Sequence, residues 1–351
     1  MSAIRPCTVP TATERMTRQL PRDRTAPMCL PAAALIGSTL AVSTGAFCRL
    51  PAYIPTWLRN MAFAAIGCSL GSGVNHNLLD LAVKWPLSLC GLVLVMGTIL
   101  LVSGWMLTSF FGRSKETAIL AASPGALSYS LAVAASGVGD ARSIIVIQSI
   151  RLLSITTALP LVLDLLHLQR ASGQAAPHVC ISLSITTALF LVTLAMGFLL
   201  EKKHLPAAYL IAGVLVSGLS HYLDFVTGRP QSGFLYVGFV VTGSVIGARF
   251  THLPLSDIRR LVGGSVAMVV VSTTIAAIFA ALAAKYLGLP FGQVWVSYAP
   301  GGVEAMAAMA IALGYDSAFV ATHHLFRIIL LLLLLPVLLK IFGRTEAKVP
   351  V

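Results

Sequence analysis

Residues 124–160 and residues 300–336 carry the same sparse set of helix-breaking and charged residues in one ungapped register. Pro124, Gly125, Asp140, Arg151 and Pro160 fall on Pro300, Gly301, Asp316, Arg327 and Pro336 at a single offset (300 − 124 = 176). The same offset carries Gly67 and Gly71 onto Gly243 and Gly247, and Lys84 onto Arg260. In a chain this apolar, such a register is the mark of a duplication. Each copy keeps one arginine inside a hydrophobic segment. Duplicated halves with a broken, polar-marked segment in each are a recurring plan among secondary transporters.

Of the 351 residues, 57% are apolar and only 10% charged. A soluble domain covers its surface with about a quarter charged residues; a chain embedded in lipid has no such need. Apolar stretches of roughly 18 residues or more, enough to cross a hydrocarbon core, recur throughout. The hydrophobic segments run over 30–48, 56–74, 83–111, 117–137, 142–166, 180–200, 206–226, 233–250, 260–287, 293–313 and 317–342. The expected architecture is an all-α, polytopic membrane bundle. Its parts are a basic tail (1–28), a first repeat (29–168), a linker (169–179), a second repeat (180–343) and a short tail (344–351). The tail is read as disordered or as an overcalled start, with Met28 the alternative first residue. Copy one has no segment equivalent to 180–200.

The net charge of +12 sits mostly between apolar stretches, at Arg113 and Lys115, Lys202 and Lys203, Arg259 and Arg260, Lys340 and Arg344. That is the distribution of topology signals at a membrane face, not of a nucleic-acid surface. The six cysteines stand singly, without a CxxC pair, so neither a zinc site nor a disulfide framework is indicated. No metal ligands, cofactor or catalytic residues are expected.

Segments 117–137 and 293–313 are interrupted near their starts, at Ser123-Pro124-Gly125 and Ala299-Pro300-Gly301-Gly302. Proline removes a donor and glycine weakens the helix. In hydrocarbon the freed backbone groups need protein or a wet cavity. Both segments are therefore expected to be discontinuous or re-entrant. If they dip in and return, five segments of each copy cross and the repeats are inverted. The cationic loops, with Arg49, then share one side. Gly67-x-x-x-Gly71 and Gly243-x-x-x-Gly247 have the spacing of close helix contacts in lipid.

Arg151 and Arg327 are read as mid-helix charges, each costing about 2.5–3.5 kcal/mol on insertion scales. Two roles fit: a tie to the freed carbonyls of the broken segment, or a contact to an anionic solute. Gln148 and His324 occupy equivalent positions, whereas His323 belongs to copy two alone. The histidines suit either proton movement or an interhelical polar contact. Glu304 follows the second break, where copy one has Ser128; it reads as a partner of Arg327, a proton carrier, or a carboxylate at a helix start. Asp140 and Asp316 precede helices and are expected to cap them. The candidate binding set is thus Pro124, Gly125, Gln148, Arg151, Pro300, Gly301, Gly302, Glu304, His323, His324 and Arg327.

The run Ser297-Tyr298-Ala299-Pro300-Gly301-Gly302-Val303-Glu304, followed by His323-His324-Leu325-Phe326-Arg327, resembles the bacterial AbrB membrane family. The likeness covers about residues 30–342. It implies a duplicated, multi-pass protein of the bacterial inner membrane, and it brings two labels, ammonia monooxygenase and AbrB-type regulator of gene expression. Adjacent histidines point about 100° apart on a helix and no third ligand joins them, which argues against a copper enzyme. No soluble basic module is visible to enter a DNA groove. The expected function is a carrier of a small anionic or zwitterionic solute, with protons as a possible coupling ion. The expected partners are the bilayer, the solute and a second copy of the chain, with no direct nucleic acid. A membrane regulator acting indirectly on expression is the alternative, and an enzyme a minor one.

Overall fold

The computed structural model describes residues 30–74, 85–125, 127–168, 180–203, 205, 207–251 and 253–342. The tails 1–28 and 344–351, the linker 169–179 and Lys84 lie outside the described residues. Among the described residues the chain is helical, with one isolated bridge between Cys180 and Arg229.

In chain order the helices are α1 (Leu30–Phe47), α2 (Thr56–Gly71), α3 (Trp85–Ser109), α4 (Lys115–Ala122), α5 (Leu127–Ala135), α6 (Ala141–Leu165), α7 (Leu183–Lys202), α8 (Ala208–Tyr222), α9 (Ser232–Ala248), α10 (Leu255–Leu287), α11 (Phe291–Tyr298), α12 (Val303–Ala312) and α13 (Ser317–Phe342). Helices α1–α6 and α8–α13 follow one another in the same order at the offset read from the sequence, and α7 stands between them without a counterpart among the described residues. Among the described residues five helices, α3, α6, α7, α10 and α13, are long and apolar enough to cross a membrane. Large apolar side chains such as Leu94, Leu191, Phe198, Val270 and Leu333 point outward and more than half exposed. Apolar surface on this scale is suited to lipid and not to water.

The two halves interlock through glycine. Gly67 and Gly71 of α2 meet Leu210, Gly213, Ser217 and Gly218 of α8, and a β-carbon at Gly71 would stand 2.6 Å from Gly218 N. Gly243 and Gly247 of α9 meet Leu35, Thr39, Val42 and Ser43 of α1. Numbers rise together across both seams, so each pair runs parallel, and each seam joins one half to the other. The expectation that these glycines pack helices holds; their partners were not readable from spacing. Helices α2 and α9 occupy equivalent places and pass each other at Gly238, whose open side faces Ala62, Ala65 and Ile66. Thr251 Oγ1, just past the end of α9, donates to Ala52 O, just before the start of α2, at 3.3 Å, so these two helices run antiparallel.

Each interrupted segment is a hairpin. The chain leaves α4 at Ala122, turns through Pro124 and Gly125, and comes back along α5, until the Asp140 amide donates to Thr117 Oγ1 at 2.9 Å. The second hairpin, α11–α12, closes in the same way: the Asp316 amide donates to Gln293 Oε1 at 3.1 Å. Both hairpins thus end beside their own beginnings. Asp140 caps α6 by accepting from the Arg142 and Ser143 amides, and Asp316 caps α13 by accepting from those of Ala318 and Phe319.

Candidate functional site

Ending a helix in mid-protein leaves carbonyl oxygens without amide partners. In each half, the long helix after the hairpin supplies the missing donors. On α6, Gln148 Nε2 donates to Leu120 O at 2.9 Å. Arg151 Nη1 donates to Ala121 O and Ala122 O at 3.1 and 3.3 Å, and its Nη2 to Ser123 O at 3.1 Å. On α13, His324 Nε2 donates to Val296 O at 3.0 Å. Arg327 Nη1 donates to Ala299 O at 2.7 Å, and Nη2 to Gly301 O at 2.6 Å. Leu120 and Val296 are equivalent under the 176-residue offset, as are Ser123 and Ala299. These two equivalent carbonyls are gripped in both halves, once by glutamine and arginine and once by histidine and arginine, while Ala121, Ala122 and Gly301 are gripped in one half only.

A planar guanidinium with its fan of donors suits this task, because several carbonyls diverge from one helix end. Arg151 and Arg327 are 1% and 0% exposed, so neither charge reaches solvent in this conformation. The tie role proposed for both arginines is therefore occupied. It does not use them up: Nε of Arg151 and Nε of Arg327 are buried and have no partner among the described residues.

The two hairpin tips converge. Gly125, at φ +86°, lies against the Arg327 guanidinium, and a β-carbon there would stand 3.2 Å from Nη2. The charges of Arg151 and Arg327 feel one another. Glu304, in the first turn of α12, brings its Oε2 to the open side of Gly302, where Leu152 is the other neighbour. Its carboxylate acts electrostatically on both Arg327 and Arg249. Of the predicted set, the structure thus gathers Gly125, Arg151, Gly302, Glu304 and Arg327 at one centre. Gln148 and His324 stand one helical turn before the arginines, each on its hairpin's carbonyl.

His323 faces elsewhere. Its Nδ1 lies 2.7 Å from Phe319 O, so that nitrogen is the donor, and its Nε2 accepts from Ser88 Oγ at 2.8 Å. Tyr298 completes the group by donating to Ser88 O at 2.8 Å. The interhelical contact is the role this geometry fills.

Four participants escaped sequence reasoning. Thr117 and Gln293 are equivalent but unlike, so no identity marks them. Ser88 belongs to copy two's network although it lies in copy one's sequence. Arg249 looks like one more loop cation, yet its Nη1 is buried and without a partner among the described residues.

The helical scaffold, with its two arginine-tied hairpins, can now be set beside known proteins. A family model described as "Transition state regulatory protein AbrB" matches residues 34–343. The chain belongs to the AbrB family. Protein YhjN of Bacillus subtilis (strain 168) is 25% identical over 290 residues, which are 77% of this chain and 75% of that protein. An Escherichia coli (strain K12) protein named "Putative regulator AbrB" is 36% identical over 104 residues, 29% of each chain. Within the AbrB family match fall both hairpins, both arginines and the glycine seams. The chain is accordingly a multi-pass, helical membrane-type protein of that family.

Proposed function

We propose that the chain is a secondary carrier of a small anionic or zwitterionic solute in the bacterial inner membrane, and that the solute binds where the two hairpin tips meet. One observation carries the reading. Two buried guanidiniums, equivalent in the two halves, hold the broken backbone together and still keep a free N–H each. Buried donors of this kind gain strongly from an acceptor, and intramembrane charge at a helix break marks a solute path in many carriers. The antiparallel course of α2 and α9 supports an inverted arrangement. So does the return of each hairpin to its own start, the course a re-entrant segment would take. Cationic segments also gather at one end: Phe47 stacks edge-on to Phe250, Gly264 lies on Phe111, and Lys115 and Phe342 line one groove. That end would be the cytoplasmic one.

Both guanidiniums are buried in this conformation while Gly125 is exposed beside them, so alternating exposure would come from the halves rocking about their glycine seams. The test is uptake of labelled small anions and amino acids into proteoliposomes holding the full chain. Saturable flux that Arg327→Gln abolishes is expected; folded protein with no flux for any of them would end the carrier reading.

A regulator is the second reading, favoured by the printed description of the family and the name of the Escherichia coli relative. It predicts that Arg327→Ala alters downstream expression while solute flux stays unchanged. Both readings treat the chain as no enzyme; stoichiometric copper in the purified protein would reverse that.

A further inference from the structure

A groove of about 230 Å³ opens between α3, α4 and α13, lined by Leu101, Gly104, Trp105, Lys115, Leu338 and Phe342 among others. Leu101 and Trp105 are more than half exposed, and apart from Lys115 the walls are mostly apolar. The 176-residue offset supplies an internal comparison. Lys115 and Ile119, both at the groove, fall on Phe291 and Trp295. Those two rings stack with centroids 5.3 Å apart, and Trp295 Nε1 donates to Thr273 O of α10 at 3.3 Å. Leu100, Gly104 and Thr108 fall on Ala276, Ala280 and Ala284, which are buried in one core cluster with Trp295. Copy two thus fills this place with its own aromatic side chains. Copy one leaves it open and sets a lysine at it.

We propose that the groove seats one phospholipid with a net negative headgroup, its phosphate on Lys115 and one acyl chain laid along α3. The proposal does not depend on the carrier reading. The α3 lining runs from Leu100 to Thr108, about 12 Å of helix at a rise of about 1.5 Å per residue. An apolar slot of that length suits an acyl chain, and the amphipathic ring of Trp105 suits the headgroup level. The charge is complementary. Arg113 already donates to Phe111 O and Ser143 Oγ, which leaves Lys115 as the cation turned to the groove. Glu116 is the next residue of α4 and points about 100° away from it. Basic pockets between membrane helices attract anionic headgroups in this way. A zwitterionic lipid offers the same phosphate but offsets it with its own ammonium. The residues after Phe342 bring Arg344 and Lys348 against the single Glu346, so they complement Lys115 poorly.

The experiment is native mass spectrometry of the full chain, released from micelles doped equally with phosphatidylglycerol and phosphatidylcholine of matched acyl chains. One retained phosphatidylglycerol per chain, in preference to phosphatidylcholine, is expected. Lys115→Gln should lower that preference about fivefold, the share of one basic residue near a charged surface. Gly104→Leu should lower retention of both lipids by filling the slot; its β-carbon would stand an ordinary 3.8 Å from Ile119 Cγ1. Should Gly104→Leu fail to fold, Leu101→Trp, from the exposed side, takes its place. Lys202→Gln removes a cation in the last turn of α7, off the groove, and should leave the preference unchanged. Several outcomes would overturn the proposal: no preference for phosphatidylglycerol, an equal loss in Lys202→Gln, or lipid retention indifferent to the filled slot. Displacement of the lipid by soluble glycerol phosphate would make the site one for a free anion instead. A filled slot that separates a dimer without changing lipid retention would assign the groove to a second copy of the chain.

Discussion

Arg327, in the second half, rests against Gly125, in the first, with Nη2 3.2 Å from where a Gly125 β-carbon would stand. The contact is the point at which one half's tie becomes the other half's wall. Gly125 also holds φ at +86°, a region that costs an L side chain about 1–2 kcal/mol. Gly125→Ala should lower unfolding stability by about 1–3 kcal/mol. Gly137 has a similar φ of +91° with nothing within 4 Å, so Gly137→Ala reports the backbone cost alone. The excess at Gly125, read from thermal melts of the two variants, measures the crowding at Arg327. Equal melts would mean that the guanidinium moves aside freely.

Gln148 and His324 do the same job with different chemistry, each donating one N–H to an equivalent carbonyl. Exchanging them should be mild: Gln148→His and His324→Gln are each expected within about 1 kcal/mol of the parent, since one neutral hydrogen bond replaces another. Gln148→Leu and His324→Leu leave a buried carbonyl bare and should cost about 1–3 kcal/mol. Chemical-denaturation midpoints in detergent would check this. A neutral leucine variant would show that water reaches the carbonyl.

Arg151 and Arg327 should not tolerate lysine. The ammonium is a point charge and does not span the diverging oxygens that Nη1 and Nη2 reach together. Each lysine variant is expected to lose about 2–4 kcal/mol, as two or more carbonyls lose their donors. Protease sensitivity at the hairpins should rise with it. Unchanged melting and proteolysis in Arg151→Lys would show that charge alone suffices.

The Asp140 cap gives a pH dependence. The hydrogen bond from the Ser143 hydroxyl holds the Asp140 carboxyl below the usual range, and burial only partly offsets it. The amides of Arg142 and Ser143 and the Arg113 charge act in the same direction as Ser143. A carboxyl with a lowered pKa in the folded state adds stability above its unfolded pKa, about 3.9. That contribution fades as pH falls through the lower, folded value. The parent should therefore exceed Asp140→Asn in melting temperature at pH 7, and the gap should shrink steadily below about pH 4. A gap independent of pH would assign the cap to shape instead of charge.

Much of this was legible in the sequence because the informative residues are rare in it. Proline, arginine and aspartate are few within apolar segments, so their shared offset stands out, and it carried Gln148 and His324 along. The breaks followed from Pro-Gly pairs that no membrane helix accommodates without a partner. What stayed hidden was whatever depends on the neighbour. The spacing of Gly67 and Gly71 announces a close contact but not that α8, from the opposite half, makes it. Thr117 and Gln293 latch equivalent hairpins with different atoms, so identity misses them. Arg249 follows a helix end, where cations are ordinary, and only packing shows its Nη1 to be enclosed.

The crossed glycine seams have a consequence for cutting the chain. Each pairs a helix from before residue 168 with one from after residue 180, α2 with α8 and α1 with α9. A break in the connection between them would leave both seams held by contact alone, and parting them would bare four glycine faces at once.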